Sequence, residues 1–119
     1  MKRILVAAAL AAIITGQTAI AEGFQIVQSR DAFVRLIDGR QLTRLGIRLV
    51  VTTDGQIVGR AFGTDVTGAW DWAGGYFCRD LFYGEEDLGP NCQQVAVSGE
   101  TMRFTSDRGA GRFADLRLR

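Results

Sequence analysis

The sequence predicts a mainly β fold: a small antiparallel meander closing into a barrel or half-barrel, with one short helix ahead of it. Three observations lead there. From residue 40 onward apolar and polar residues alternate with period two, the spacing of half-buried strands. Turn signals recur every eight to twelve residues, so the strands are short and the connections tight. Fifteen glycines stand against a single proline, Pro90, which suits a sheet with many turns. Seven or eight such strands tend to curl or close rather than stay flat.

The chain opens on the pattern of an export signal. Lys2 and Arg3 form a positive start, Ile4 to Ile14 are an apolar run, and Ala19-Ile20-Ala21 is the small-x-small motif that signal peptidase cuts. Residues 1–21 are read as the signal peptide and 22–119 as one β-rich domain. The run is too short to span a bilayer. The residue after the cut is Glu22 rather than Cys, so neither a stable membrane anchor nor a lipid anchor is expected. A periplasmic or secreted location follows. Cleavage leaves 98 of the 119 residues, enough for one core.

The helix is expected near 30–38. Ser29 is a suitable N-cap, Asp31 places a negative charge in the first turn, and Gly39 supplies a left-handed C′ residue. Phe33, Leu36 and Ile37 share one face and predict packing against something apolar. Strands are then read near 41–45, 47–53, 56–62, 66–72, 76–83, 92–98, 101–106 and 112–118. Their connections are Asp54-Gly55, Gly63 to Asp65, Ala73 to Gly75, a loop from Gly84 to Asn91, Ser98 to Glu100, and Asp107 to Gly111. In the last strand Ala114, Leu116 and Leu118 alternate with Phe113, Asp115, Arg117 and Arg119, as expected of a charged, protected edge.

Turn length sets which side chains point inward. A two-residue Asp54-Gly55 turn pairs Val51 with Val58, Leu49 with Arg60 and Ile47 with Phe62. That face is apolar and is expected inside, with Arg60 as a guanidinium aimed at the interior. A three-residue loop at 73–75 pairs Trp72 with Tyr76, Trp70 with Cys78, Gly68 with Asp80 and Val66 with Phe82, and its exception is Asp80. A two-residue loop at Gly74-Gly75 instead puts Arg79 beside the tryptophans.

On the first of these registers Trp70, Trp72, Tyr76 and Phe82 form an aromatic wall, with Arg60 and Asp80 on the same side. An unpaired buried charge is costly, so each needs a partner, water or a ligand. The functional reading makes Arg60, Trp70, Trp72, Tyr76 and Asp80 the lining of a small cavity for an anionic or carbonyl-bearing molecule. The structural reading fills the core with the tryptophans and lets Arg60 and Asp80 pair or reach the rim.

Composition narrows the chemistry. Without Lys2 and Arg3, twelve arginines face thirteen acids, a formal charge of −1 and no footprint for nucleic acid. The mature chain has no Lys, which removes Schiff-base chemistry. The absence of His removes the commonest general base, the usual partner of Ser or Cys nucleophiles, and the commonest zinc ligand. Cys78 and Cys92, an even pair in an exported domain, are read as one structural disulfide worth about 3 kcal/mol. Their spacing is not that of a C-x-x-C redox pair. Asp80, Glu85, Glu86 and Asp87 could present oxygens to calcium, but match no known loop spacing and read better as a solvated turn. Gly109-Ala110-Gly111-Arg112 could cradle a phosphate, but precedes a strand rather than a helix and reads better as a turn.

Three stretches carry a resemblance: Gly75 to Leu81, Glu86 to Gln93 with Gly89-Pro90-Asn91-Cys92, and Arg103 to Arg112 with Ser106-Asp107-Arg108-Gly109. Over roughly residues 30–119 the chain resembles a family of short exported bacterial proteins often labelled "dihydrodipicolinate reductase" by automatic transfer. That reductase is a cytoplasmic nicotinamide enzyme with a glycine fingerprint and a catalytic His pair. This chain has no G-x-G-x-x-G, no βαβ unit and no His, so none of those residues carries over and the activity is not expected. Gly68-Ala69-Trp70 also resembles the G-x-W of lipocalin-type barrels. There it lies on the first strand, so only the general architecture is implied.

The expected function is a non-catalytic binding or interaction module, with a small molecule or an envelope protein as partner. The alternatives are a structural envelope role with a solid core, or an enzyme using carboxylates such as Asp80 and Glu85. No cofactor and no metal site is implied.

Overall fold

The computed structural model describes residues 23–119, and the stretch read as a signal peptide, 1–21, lies outside the described residues. The elements are β1 (Gln25–Ile26), α1 (Arg30–Ile37), β2 (Leu42–Arg44), β3 (Ile47–Val51), β4 (Gln56–Ala61), β5 (Thr64–Ala73), β6 (Tyr76–Tyr83), β7 (Glu86–Ser98), β8 (Thr101–Thr105) and β9 (Phe113–Leu118). Each strand from β2 to β9 pairs antiparallel with the next, and β9 returns to β2 through Leu42↔Leu118 and Thr43↔Arg117. The result is a closed, eight-stranded, up-and-down barrel. Because β9 has a neighbour on both sides, it is a seam strand and not the edge its charges suggested.

β1 lies outside this ring. It pairs Gln25 with Val97 and Ile26 with Ala96, on the β7 edge that β8 leaves free. Phe24 lies against Arg103, 4.2 Å from guanidinium to ring centroid, and Arg103 donates two hydrogen bonds to Asp115 at 2.8 and 3.0 Å. That pairing holds the Arg103 guanidinium above its ordinary pKa.

The helix forms as its caps predict. The Ala32 N–H donates to Ser29 Oγ at 3.1 Å, and the Asp38 N–H closes the last turn on Val34 O. Eight residues are too few for a helix to stand alone in water, so tertiary packing must hold it. Phe33 and Ile37, 0% and 1% exposed, supply that packing by entering one end of the barrel. Successive turns of an up-and-down barrel alternate between its ends. The helix therefore closes the end carrying residues 52–55, 73–76 and 98–101, where the Arg30 guanidinium donates to Thr53 O at 3.0 Å.

Two hairpins depart from the first expectation, each by one residue. Between β3 and β4 the Thr52 N–H donates to Gln56 O at 2.8 Å. The Thr52 hydroxyl accepts from the Gln56 N–H at 2.8 Å and donates to Asp54 Oδ1 at 2.6 Å. These bonds build a three-residue loop, 53–55, with Gly55 in the left-handed position at φ 105°. A slip of one residue exchanges the faces of a strand. Val51 thus pairs with Ile57, and Ile57 and Ala61 are buried. Val58 and Phe62, expected inside, are 42% and 69% exposed. Arg60 goes with them to the outside.

Between β5 and β6 the turn is the two-residue Gly74-Gly75, both at positive φ, as a type I′ hairpin requires. Trp72 therefore pairs with Phe77 and Trp70 with Arg79. Phe77 and Arg79 alternate inward, while Tyr76, Cys78 and Asp80 stand on the outer face. β7 is longer than expected: it begins at Glu86 and absorbs most of the anticipated loop, with Leu88 and Gly89 bulging opposite Leu81. Pro90 sits where β7 has only β6 beside it, since β8 joins from Gln94.

Candidate functional site: the barrel interior

The closed end is filled by aromatic rings. Phe33 lies 5.2 Å from Trp70 edge-on, 5.2 Å from Trp72 stacked, and 5.1 Å from Phe77, and Phe77 meets Phe104 at 5.3 Å. Toward the other end the interior is not filled. A cavity of about 160 Å³ opens there, with Phe77 and Phe104 as its floor and Leu49, Ile57, Leu81 and Leu116 in its walls. Two polar side chains enter it, Arg79 from β6 and Gln93 from β7.

Arg79 is the unusual member. Its Nη1 donates to Gly89 O, at the β7 bulge, at 2.7 Å. Burial holds the guanidinium below its ordinary pKa, and neighbouring Asp80 offsets part of that. An arginine so placed still carries its charge at neutral pH. The ion pairs among the described residues are Arg60–Asp65 and Arg103–Asp115, and Arg79 belongs to neither. A half-buried cation thus faces an apolar chamber with one backbone carbonyl and no carboxylate. Gln93 is partly engaged, its amide donating to Ser106 Oγ at 3.3 Å.

The residues read from sequence as lining divide. Trp70 and Trp72 point inward, but into the helix-closed layer rather than the cavity. Trp70 is 5% exposed and its indole N–H donates to Thr52 O at 2.9 Å. Arg60 is on the outer surface, paired with Asp65 and donating to Gly63 O, so it neither enters the interior nor meets Asp80. Asp80 is exposed. Tyr76 lies on the outer face with the Arg108 guanidinium 5.6 Å from its ring. Cys78 and Cys92 form the expected disulfide across β6 and β7, where they are directly paired. Arg79 and Gln93 are the residues the first register missed. The signal for Arg79 was the Gly74-Gly75 dipeptide, which favours the shorter turn.

Two other sequence candidates resolve simply. Glu85, Glu86 and Asp87 are exposed, and among the described residues no three metal-ligating side chains converge. In the 106–112 loop the Gly109 and Gly111 N–H groups donate to Ser106 O and that of Ala110 to Asp107 O. Asn91 donates to Asp107 Oδ1 and accepts from the Asp107 N–H, both at 2.9 Å. With its amides spent internally, this loop offers no cradle for phosphate.

The tryptophans differ in a testable way. Trp72 Nε1 is buried without a hydrogen-bond partner, whereas that of Trp70 is bonded. Trp70→Phe is expected to destabilise by about 1–3 kcal/mol, since it loses the indole bond and buried ring volume and leaves Thr52 O only the long bond from the Gly55 N–H at 3.4 Å. Trp72→Phe removes an unsatisfied donor and is expected to stay within about 1 kcal/mol of the parent. Urea unfolding followed by far-UV circular dichroism separates the two.

No family model matches this chain, nor does any curated protein or solved structure, so its site is read from its own geometry.

Proposed function

We propose that this protein is an exported, non-catalytic binding module whose barrel takes one small amphipathic anion. The ligand's apolar part occupies the cavity and its carboxylate meets Arg79. The observation that carries this reading is the half-buried Arg79 guanidinium, without a carboxylate partner, on the wall of an apolar chamber. A charge in that setting is stabilised by an anion that brings a matching fork of oxygens. Size limits the ligand: apolar cavities near 150 Å³ hold a molecule like benzene, so 160 Å³ suits one ring or a short branched chain. Neither Asp80 nor Glu85 lines the cavity, so no acid–base pair stands over a molecule held there. Export is supported by the leader pattern of residues 1–21 and by the Cys78–Cys92 disulfide, a bond that persists in oxidising compartments.

Calorimetric titration with benzoate and isovalerate, beside their neutral amides, tests the binding. The carboxylates are expected to bind about tenfold to a hundredfold more tightly than the amides, as a charge-assisted bond to Arg79 implies. Arg79→Met is expected to erase that preference while leaving the barrel folded. Equal carboxylate affinity in Arg79→Met and the parent, or no binding by any carboxylate, overturns the reading. The N-terminal sequence of protein recovered from the periplasm is expected to begin at Glu22, and an uncleaved chain held in the cytoplasm overturns export.

A further inference from the structure

We propose that the outer face of β2, β3 and β4 docks on an anionic phospholipid bilayer, independently of what the cavity holds. The β3–β4 register sets Arg48 directly opposite Arg60 on the outer surface. Like charges facing each other across a ladder destabilise it, so this pair works against the fold. Arg44 and Arg119 line the same surface depression, of about 410 Å³, and all four arginines are exposed. Of these four arginines only Arg60 pairs with a carboxylate among the described residues, that of Asp65. Three guanidinium groups are left with planar donor forks turned to solvent, the geometry that grips phosphate oxygens.

An apolar pair stands beside these cations. Leu45 and Phe62, on neighbouring turns at the open end, are 93% and 69% exposed. The Phe62 N–H donates to Gly46 O at 2.8 Å, and its ring lies over Gly46, where a Cβ would fall 2.5 Å from it. Gly46 itself lines the cationic depression. Phe62 holds φ at 52°, a left-handed conformation unfavourable for a bulky residue, and yet its ring fills no core. Basic residues for headgroups beside large apolar side chains for the acyl boundary are what an interfacial surface combines. The acidic run Glu85-Glu86-Asp87 tops the β6–β7 hairpin, across the barrel from β3. An anionic surface therefore attracts one wall and repels the other, so the protein lies on its β2–β4 side.

The full chain is mixed with phosphatidylcholine vesicles carrying about 30% phosphatidylglycerol, and with phosphatidylcholine vesicles alone, and bound protein is read by flotation. Binding is expected only to the anionic vesicles and is expected to fade with added salt. Arg44→Gln with Arg48→Gln is expected to weaken it about 25-fold, or about fivefold per arginine. Leu45→Ser with Phe62→Ser is expected to weaken it with the arginines intact. All four positions are exposed, so the variants keep the parent's circular dichroism. Equal binding to neutral and anionic vesicles, or unchanged binding by the arginine variant, overturns the proposal. Release from vesicles by soluble glycerol phosphate at matched phosphate concentration overturns it as well, because a free phosphate compound would then be the ligand.

Discussion

Phe33→Ala is expected to cost about 3–5 kcal/mol, because it deletes a fully buried ring whose neighbours cannot collapse into the space. Phe33 is 0% exposed and touches Trp70, Trp72 and Phe77 at centroid distances of 5.1 to 5.2 Å. Each such aromatic pair adds about 0.5–1.5 kcal/mol beyond area burial. The consequence extends past the ring. An eight-residue helix has no stability of its own, and Ile37, with the partly buried Ala32, Val34 and Leu36, would have to hold it in the barrel. The closed end is therefore expected to open, and tryptophan emission to shift to the red before the barrel unfolds. Domains of this size carry about 5–15 kcal/mol in total, so the urea midpoint should fall steeply. Arg35→Ala, on the exposed side of the same helix, is expected to stay within about 0.5 kcal/mol and serves as the control. A loss below about 1 kcal/mol for Phe33→Ala would mean the helix does not plug the barrel.

Loss of the disulfide is the second large effect, about 3 kcal/mol for the fifteen residues from Cys78 to Cys92. Chain entropy in the unfolded state supplies most of that figure on the loop-closure model. The native position adds a structural reason. Cys78 pairs directly with Cys92, and the register breaks only two residues further on, at the Leu88-Gly89 bulge. The covalent link pins the last regular pairs before that irregularity. A reductant is expected to lower the parent's urea midpoint by the amount seen in Cys78→Ala/Cys92→Ala, and to leave the double variant unmoved. Amide hydrogen exchange in β6 is expected to quicken in parallel. A parent insensitive to reductant would place its stability elsewhere.

Features decided locally were legible from the residues. Ser29 bonds its own third neighbour, the Phe33–Ile37 face is apolar, and the period-two run from residue 40 is that of barrel strands. Register was harder, because both faces of β4 and β6 carry apolar side chains. Val58 and Phe62 alternate with Ile57 and Ala61, and Tyr76 and Phe82 with Phe77 and Leu81, so pattern alone does not choose. Turn chemistry chooses. The Thr52 hydroxyl lengthens one loop, Gly74-Gly75 shortens the other, and together they send Arg60 out and bring Arg79 in. Gly89-Pro90 reads as a loop but lies in a strand, because β6 alone flanks it and a bulge absorbs the mismatch. β1 is two residues long and draws its place from the free edge of β7, a tertiary fact with no local signal.

The barrel is closed by a short seam. Leu42 meets Leu118 and Thr43 meets Arg117, and beyond them Gln41 and Arg119 exchange two backbone bonds at 3.0 and 2.9 Å. Leu42 and Leu118 stand 76 positions apart in sequence, the kind of long-range pairing that slows folding. Until β9 pairs with it, β2 has β3 on one side and a free row of backbone groups on the other. A truncation before Arg117 removes both seam partners and is expected to yield a sticky curled ribbon instead of a smaller barrel.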